Sequence, residues 1–344
     1  MEKTAKKRQA LRTKVKKQPI LKSSIHEKAA DSKNNGKTIR SERRKKMKRK
    51  LSQKHLVSLC TITILLLVLA IWTIWGNTAL MVNTITIASS RIPPAFSGFR
   101  IAQVSDLHNA EFGKDNSELL QMLSKTMPDI IVITGDLVDA QHTDMDIALN
   151  FVNEAAQIAP IYYVTGNHEA SLPQYDKLRT GLEKIGATVL EDKAIQVRHN
   201  GEKITLIGLS DPDFTIKGDM FGEVPVMANT KLKTLADPEN SYTVLLSHRP
   251  ELFETYVDCN VDLVFSGHAH GGQFRLPYIG GLIAPNQGLF PKYDAGLYTD
   301  GTTNMVVSRG IGNSIIPFRF NNRPEIILVE LSLKNDVSLL FAPK

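Results

Sequence analysis

Cysteine is almost missing from this chain, which closes off one kind of chemistry. Only Cys60 and Cys259 occur in 344 residues. They form no C-x-x-C pair, so a thiolate metal site of that kind is excluded. Cys60 lies in an uncharged apolar run, and a disulfide to Cys259 is not expected. Acidic residues are nearly missing from the first 54 positions, which hold four of the 35 Asp and Glu against 21 of the 42 Lys and Arg. That tail carries a formal +17, and the other 290 residues carry −10. The tail also lacks Phe, Tyr and Trp. A segment that binds nucleic acid interleaves aromatics with its basic residues, and an acidic body repels a phosphate polymer. Nucleic acid is therefore not an expected partner. So polar a stretch cannot bury enough apolar surface to offset its ordering entropy, and residues 1–54 are expected to form a disordered basic tail.

Charge is absent altogether from residue 56 to residue 90. Within this stretch, 56–75 is dominated by Leu, Ile, Val, Thr and Ala, with Trp72 and Trp75 at its far end. About 20 such residues cross a bilayer core as a helix, and tryptophan suits the membrane–water interface. Residues 55–76 are thus expected to form one transmembrane helix, since a soluble core helix would not be apolar on every face. The basic excess before it predicts a single-pass protein of the cell membrane, its N-terminus cytoplasmic and its main body extracytoplasmic. A cleaved export signal carries a much shorter charged region. Arg43–Arg44 is followed by lysine, where a twin-arginine signal has an apolar residue.

Residues 77–97 read as a linker and first strand, and 98–344 as one folded domain without internal repeats. Buried strands are expected at 99–105, 129–134, 161–165, 204–209, 243–247, 263–266, 305–308, 326–331 and 337–341. Helices are expected at 116–126, 144–157 and 174–185, with Gly186 closing the last. Asp115 and Asp144 read as helix N-caps. Strands alternating with helices predict an α/β fold whose first half is largely parallel.

Several of these strands run out into polar residues. Asp106 and His108 follow the first, and Gly135–Asp136 the second. Gly166–Asn167–His168–Glu169 follows the third, His248 the fifth, and Gly267–His268–Ala269–His270 the sixth. Ligands of open α/β sheets sit beyond the carboxyl ends of the strands, so chain order places these groups on one rim. The domain has seven histidines and five lie in these motifs. Carboxylate, imidazole and one amide suit Mn²⁺, Fe or Zn²⁺ better than Ca²⁺, which prefers oxygen alone. Two cations about 3.5–4 Å apart, sharing one carboxylate, could hold both the attacking and the leaving oxygen of a phosphoryl centre.

In this order, the blocks D-x-H, GD-x-x-D, GNH-[DE], H and GH-x-H resemble the calcineurin-like metallophosphoesterase superfamily over residues 98–331. Ser105–Asp106–Leu107–His108, the 267–273 run and Ser308–Arg309–Gly310–Ile311–Gly312 resemble its small membrane-associated bacterial branch. The resemblance implies an αββα sandwich. It also implies hydrolysis of a phosphodiester, phosphomonoester or pyrophosphate bond by metal-bound hydroxide. Carried over residue by residue, Asp106, His108 and His270 would bind one metal, and Asn167, His248 and His268 the other. Asp136 would bridge the two. His168 would contact the phosphate and protonate the leaving alkoxide, a task suited to imidazole. Similar proteins include hydrolases of lipid-precursor diphosphates such as UDP-diacylglucosamine, so a lipid-linked phosphate is an expected substrate. The expected topology, however, puts the site on the side away from cytoplasmic nucleotide lipids. A non-catalytic binding or scaffolding protein on the same fold would betray itself by a missing ligand, and none is missing. Asp139 is expected to bond loop amides, and Asp211 and Asp213 to shape a turn around Pro212. Arg309 is expected either at substrate phosphate or in a structural ion pair.

Overall fold

The computed structural model describes residues 20–218, 222–235, 241–313 and 316–334, with side chains from residue 34 onward. The strand expected at 337–341 lies outside them. Two compact units divide the chain, Met1–Ala70 and Ile71–Lys344.

Helix α1 spans Ile20–Thr78. Its apolar stretch has a mean hydropathy of 2.5 over 18 residues and none of that window is buried, so by length and composition it can cross a membrane. The helix also reaches back through the basic segment to Ile20. The tail expected over 1–54 thus overlaps this helix from residue 20, and residues 1–19 lie outside the described ones. Lys, Arg and Ala are good helix formers. Once a stable run provides the costly nucleus, each further residue adds a hydrogen bond.

The second unit is built on two six-stranded sheets. The first has the order β1 (Met81–Ser89), β16 (Glu325–Leu333), β2 (Arg100–Val104), β3 (Ile130–Thr134), β4 (Ile161–Val164) and β5 (Thr188–Val189). The second runs β14 (Gly296–Asp300), β15 (Thr303–Val307), β9 (Leu263–Ser266), β8 (Thr243–Leu246), β7 (Glu202–Gly208) and β6 (Lys193–His199). Strands β2 to β5 are mutually parallel, as are β7, β8, β9 and β15. Strand β16 returns antiparallel to β2 and pairs parallel with β1. Two small hairpins, β10–β11 (Arg275–Leu276 with Gly280–Gly281) and β12–β13 (Ile283–Ala284 with Gly288–Leu289), stand apart from both sheets.

The parallel strands are largely apolar because both of their faces are covered. Ile101, Val132 and Val164 of the first sheet share one buried cluster with Leu206, Val244 and Phe265 of the second. Helices α2 (Ser117–Lys125), α3 (Met145–Ala155) and α5 (Tyr175–Ile185) cover the outer face of the first sheet through Leu119, Phe151 and Leu178, with short α4 (Asn167–Ala170) between the latter two in sequence. Helices α6 (Glu223–Leu235) and α7 (Phe253–Asp258) cover the second through Leu232 and Phe253. The architecture is an αββα sandwich.

Two helix ends form as expected. Asp144 accepts hydrogen bonds from the amides of Asp146 and Ile147, and Gly186 closes α5 at φ 99°. Asp115 does not cap α2. It occupies a left-handed turn at φ 54°, and the next residue, Asn116, uses its side chain to accept from the Phe112 amide and donate to the Ala110 carbonyl.

Phe265 is wholly buried between the sheets. Phe265→Ala is expected to lower unfolding stability by about 3–5 kcal/mol through lost burial and a residual cavity. Chemical denaturation of the detergent-solubilised chain measures this, and a loss below about 1 kcal/mol would contradict the inter-sheet core.

Candidate metal centre

The loops after β2, β3 and β4 of one sheet converge with those after β8 and β9 of the other. Asp106, His108, Asp136 and His270 bring one ligand atom each within 4.8 Å of one another, and Asp136, His248 and His268 do the same. Asp136 belongs to both groups, and all six side chains are buried. Asn167 joins the second group, its Oδ1 lying 3.2 Å from His248 Nε2. All seven residues expected as ligands are thus brought together. His168 stands beside them half-buried, its ring 4.4 Å from that of His108.

Close turns build this convergence. Asp106, His108, Asp136, His268 and His270 all have left-handed backbone, with φ between 46° and 65°. Such conformations are costly for residues with a Cβ and persist where surrounding structure over-determines them. At Gly267 a side chain would collide with Ser105 Oγ and Asp106 Oδ2, and at Gly166 with the Asp136 carboxylate. Glycine lets these loops touch.

The outward nitrogen of three imidazoles is engaged, which turns the other inward. His248 Nδ1 donates to the Thr134 carbonyl at 2.7 Å, leaving Nε2 to face Asp136 Oδ2 at 3.2 Å. His268 Nε2 meets Arg249 Nη1 at 3.3 Å, and its Nδ1 lies 3.2 Å from His248 Nε2. His270 Nδ1 meets Arg319 Nη2 at 3.5 Å, and its Nε2 lies 3.2 Å from His108 Nε2.

Burial opposes charge throughout the cluster, and the carboxylates oppose burial. Burial, together with the Asp136 charge, raises the Asp106 carboxyl to about 6 against the pull of His248. For Asp136, burial is outweighed by His248 and His108, which hold its carboxyl well below the ordinary range. For His248, burial is outweighed by Asp136, and its pKa rises to about 10. Burial lowers His108 to about 4, against the pull of Asp136. Burial takes His268 and His270 well below the ordinary value, with help from Arg249 and His108 respectively.

These features fit a pair of cations. Facing imidazole nitrogens cannot both donate, and buried Asp106 Oδ2 has no hydrogen-bond partner among the described residues. The field of two buried carboxylates demands positive charge, which a proton on His248 supplies in part. The donor set of imidazole, carboxylate and one amide suits transition metals of intermediate softness.

A third grouping, His108, Asp139 and His168, is also compact. Its donors are already committed. Asp139 Oδ1 accepts from the amides of Gln141 and His142, which is the loop role expected for it. His168 Nδ1 accepts from the Ala140 amide at 3.0 Å. A neutral His168 therefore carries its proton on Nε2.

Several supporting residues were not legible as such. Glu169 is fully buried and accepts from the amides of Gly166, Asp136, Leu137 and Val138, tying the two ligand loops together. Burial and the Asp136 charge push its carboxyl up to about 7 despite those donors. Asp211 shapes the expected turn by accepting from the Asp213 amide. It also grips buried Arg249 at 2.6 and 2.8 Å. Arg309 pairs with Glu325 at 3.7 Å, and its amide donates to the same carboxylate, the structural alternative of the two expected. Arg319 is fully buried and donates to the carbonyls of Arg309 and Gly312. The spacing G-N-H-E was the only sequence signal for Glu169, and Arg249 and Arg319 gave none.

Two predictions follow from these contacts. Glu169→Ala orphans the amides of the Asp136 loop and is expected to weaken cation binding about 10–100-fold, as loss of ligand-orienting partners does. Calorimetric titration with Mn²⁺ reads this directly. Because His248 is protonated at neutral pH in the cation-free chain, cation uptake must displace that proton. Affinity should rise with pH, by up to about tenfold per unit, until pH passes His248's value near 10. An affinity independent of pH would count against His248 as a donor.

The comparisons with known proteins agree with this geometry. The family model for calcineurin-like phosphoesterases matches residues 99–272. The Bacillus subtilis metallophosphoesterase YkuE is 32% identical over 259 residues, covering 73% of this chain and 85% of that protein. Escherichia coli phosphodiesterase YaeI is 29% identical, covering 68% of this chain and 82% of its own length. A cattle transmembrane protein with a metallophosphoesterase domain is 27% identical over 71% of this chain and 55% of its own length. The family binds two divalent metals, and the buried Asp and His cluster fits such a site. The chain belongs to the calcineurin-like phosphoesterase family and is a metal-dependent phosphoric ester hydrolase.

Proposed function

We propose that this chain is a single-pass, membrane-anchored phosphodiesterase with a binuclear centre. The observation that carries this reading is the Asp136 carboxylate common to two groups of donors. On this reading Asp106, His108 and His270 hold one cation, Asn167, His248 and His268 the other, and Asp136 both. Mn²⁺, Fe and Zn²⁺ all suit these donors. Two bound cations would supply Lewis acidity to a phosphoryl group and a water of lowered pKa.

His168 performs the step that belongs to the chain itself. The Ala140 amide meets its Nδ1, so Nε2 is the atom turned to a leaving alkoxide oxygen. To act as the acid the ring takes up a second proton, Nδ1 releases that amide, and the Nε2 proton then passes to the oxygen and leaves a neutral ring. Before that transfer the same N–H steadies a phosphoryl oxygen. A cavity of about 480 Å³ lined by Asp213, Arg249, Glu251 and Asn286 lies on the Arg249 side of His268 and offers room for part of a substrate.

The apolar segment of α1 supports anchoring, and the basic residues before it support a cytoplasmic N-terminus with the folded unit outside. The resemblance to a phosphodiesterase and to proteins with transmembrane segments supports a phosphodiester, and a lipid-linked phosphate in particular.

Chelation with EDTA is expected to abolish hydrolysis of a chromogenic phosphodiester, and Mn²⁺ to restore it. Activity that survives chelation would sink the binuclear reading. His168→Ala is expected to keep its metal content and lose about 10²–10⁴-fold in kcat on alkyl esters. It should lose far less on a nitrophenyl ester, whose leaving group needs no proton. Equal losses on both would remove His168 from the proton-donor role.

A further inference from the structure

Immediately after the loop of His268 and His270, the chain makes its two small hairpins. From residue 276 to residue 291 there is no charged side chain. Yet this segment is largely exposed: Tyr278 fully, Leu289 by 71%, Phe290 by 64% and Ile279 by 60%. Phe318 adds a further exposed ring, tilted against Phe274 with the ring centres 5.3 Å apart. Soluble surfaces rarely expose so contiguous an apolar set, and those that do are interaction sites. Tyr278 holds φ 67°, a conformation costly for an aromatic residue and free for glycine. Its turn is closed by the Ile279 amide donating to Leu276. Strain that presents a ring to solvent points to a use for that ring.

What this patch faces is indicated by its continuity with α1. Gln273 donates from its side chain to the carbonyls of Ile316 and Phe318, at 2.9 and 2.7 Å. Asn322 donates to the carbonyls of His270 and Gln273. The next link is Asn77, near the end of α1, which exchanges two hydrogen bonds with the Arg319 backbone, at 2.7 and 2.9 Å. Arg323 donates to the carbonyls of Ala79 and Leu80 and lies 4.6 Å over the Trp75 ring. A hydrogen-bonded ribbon thus joins the tryptophan end of the apolar helix, the Arg275 start of the hairpins, whose amide donates to the Phe320 carbonyl, and the loop of His270.

We infer that the β10–β13 hairpins are a membrane-docking surface that inserts Tyr278, Ile279, Leu289 and Phe290 into the interfacial region of the bilayer crossed by α1. Aromatic and aliphatic side chains on uncharged turns are what that region accepts. Docking would keep the His270 loop beside the lipid headgroups, where a phosphoester of a lipid is the substrate class within reach. The inference rests on α1 being a membrane span, and the test separates the two.

The full chain is reconstituted in phosphatidylcholine vesicles containing a doxyl-labelled quencher lipid. In a Cys60→Ala background, a bimane label is placed at Tyr278→Cys, at Phe290→Cys, or at Asn200→Cys in the exposed β6–β7 turn as a control. Each variant is first required to hydrolyse a soluble chromogenic phosphodiester within about twofold of the parent, the scatter expected of surface changes. Quenching at 278 and 290 is expected to exceed that at 200 by about threefold or more, as for side chains at headgroup depth. A chain that floats with the vesicles but is quenched equally at the three positions overturns the docking. Oxidation of Tyr278→Cys to a cross-linked dimer, without lipid quenching, assigns the patch to a second copy and also overturns it. A chain that does not float with the vesicles overturns the span itself, and the docking with it.

Discussion

The contact on which the site depends is the Asp136 carboxylate buried among imidazoles. A carboxylate taken out of water is tolerated only where positive charge and hydrogen bonds repay its lost hydration. Here His248 and His108 approach one oxygen, and the His168 amide donates to the other at 2.9 Å. Each of those partners sits at the end of a different parallel strand. The carboxylate thereby couples β2, β3, β4 and β8, and its demand for positive charge explains why His248 titrates so high.

Around that contact the sandwich works as a rigid frame. Its strands are buried on both faces, so their ends are held in place while the loops beyond them adopt strained turns. Five residues of the Asp and His cluster in left-handed conformation would be hard to sustain on a mobile surface loop. Glu169 ties two of these loops through four backbone amides, while Arg249 and Arg319 brace the imidazoles from outside. The metal centre is therefore as much a product of its supports as of its ligands.

Two uncharged stretches mark the rest of the molecule. The uncharged stretch of α1 and the charge-free run from residue 276 to residue 291 are far apart in sequence. Within the second unit, Asn77, Arg319 and Asn322 link the residues that follow that stretch to the loop that precedes the hairpins.

Much of this was legible in the sequence, for physical reasons. Parallel strands buried on both faces are written as near-continuous apolar runs, so β2, β3, β4, β8 and β9 could be located within a residue or two. Polar residues at their carboxyl ends, with glycine before Asp136, Asn167 and His268, marked the groups that the structure brings together between Asp106 and His270. The apolar run of α1 is likewise a property of composition alone. Short edge strands such as β5 and β14 were not legible, because pairing rather than pattern makes them strands. Asp115 misled because a capping residue and a left-handed turn residue look alike in one dimension. Only the tertiary structure could show that the rim belongs to two sheets. It also decided that Asp136 is shared, that Glu169 ties the ligand loops, that the Ala140 amide leaves the His168 proton on Nε2, and that the hairpins join the end of α1. Each of these depends on distances between residues remote in sequence, and local pattern carries no such distances.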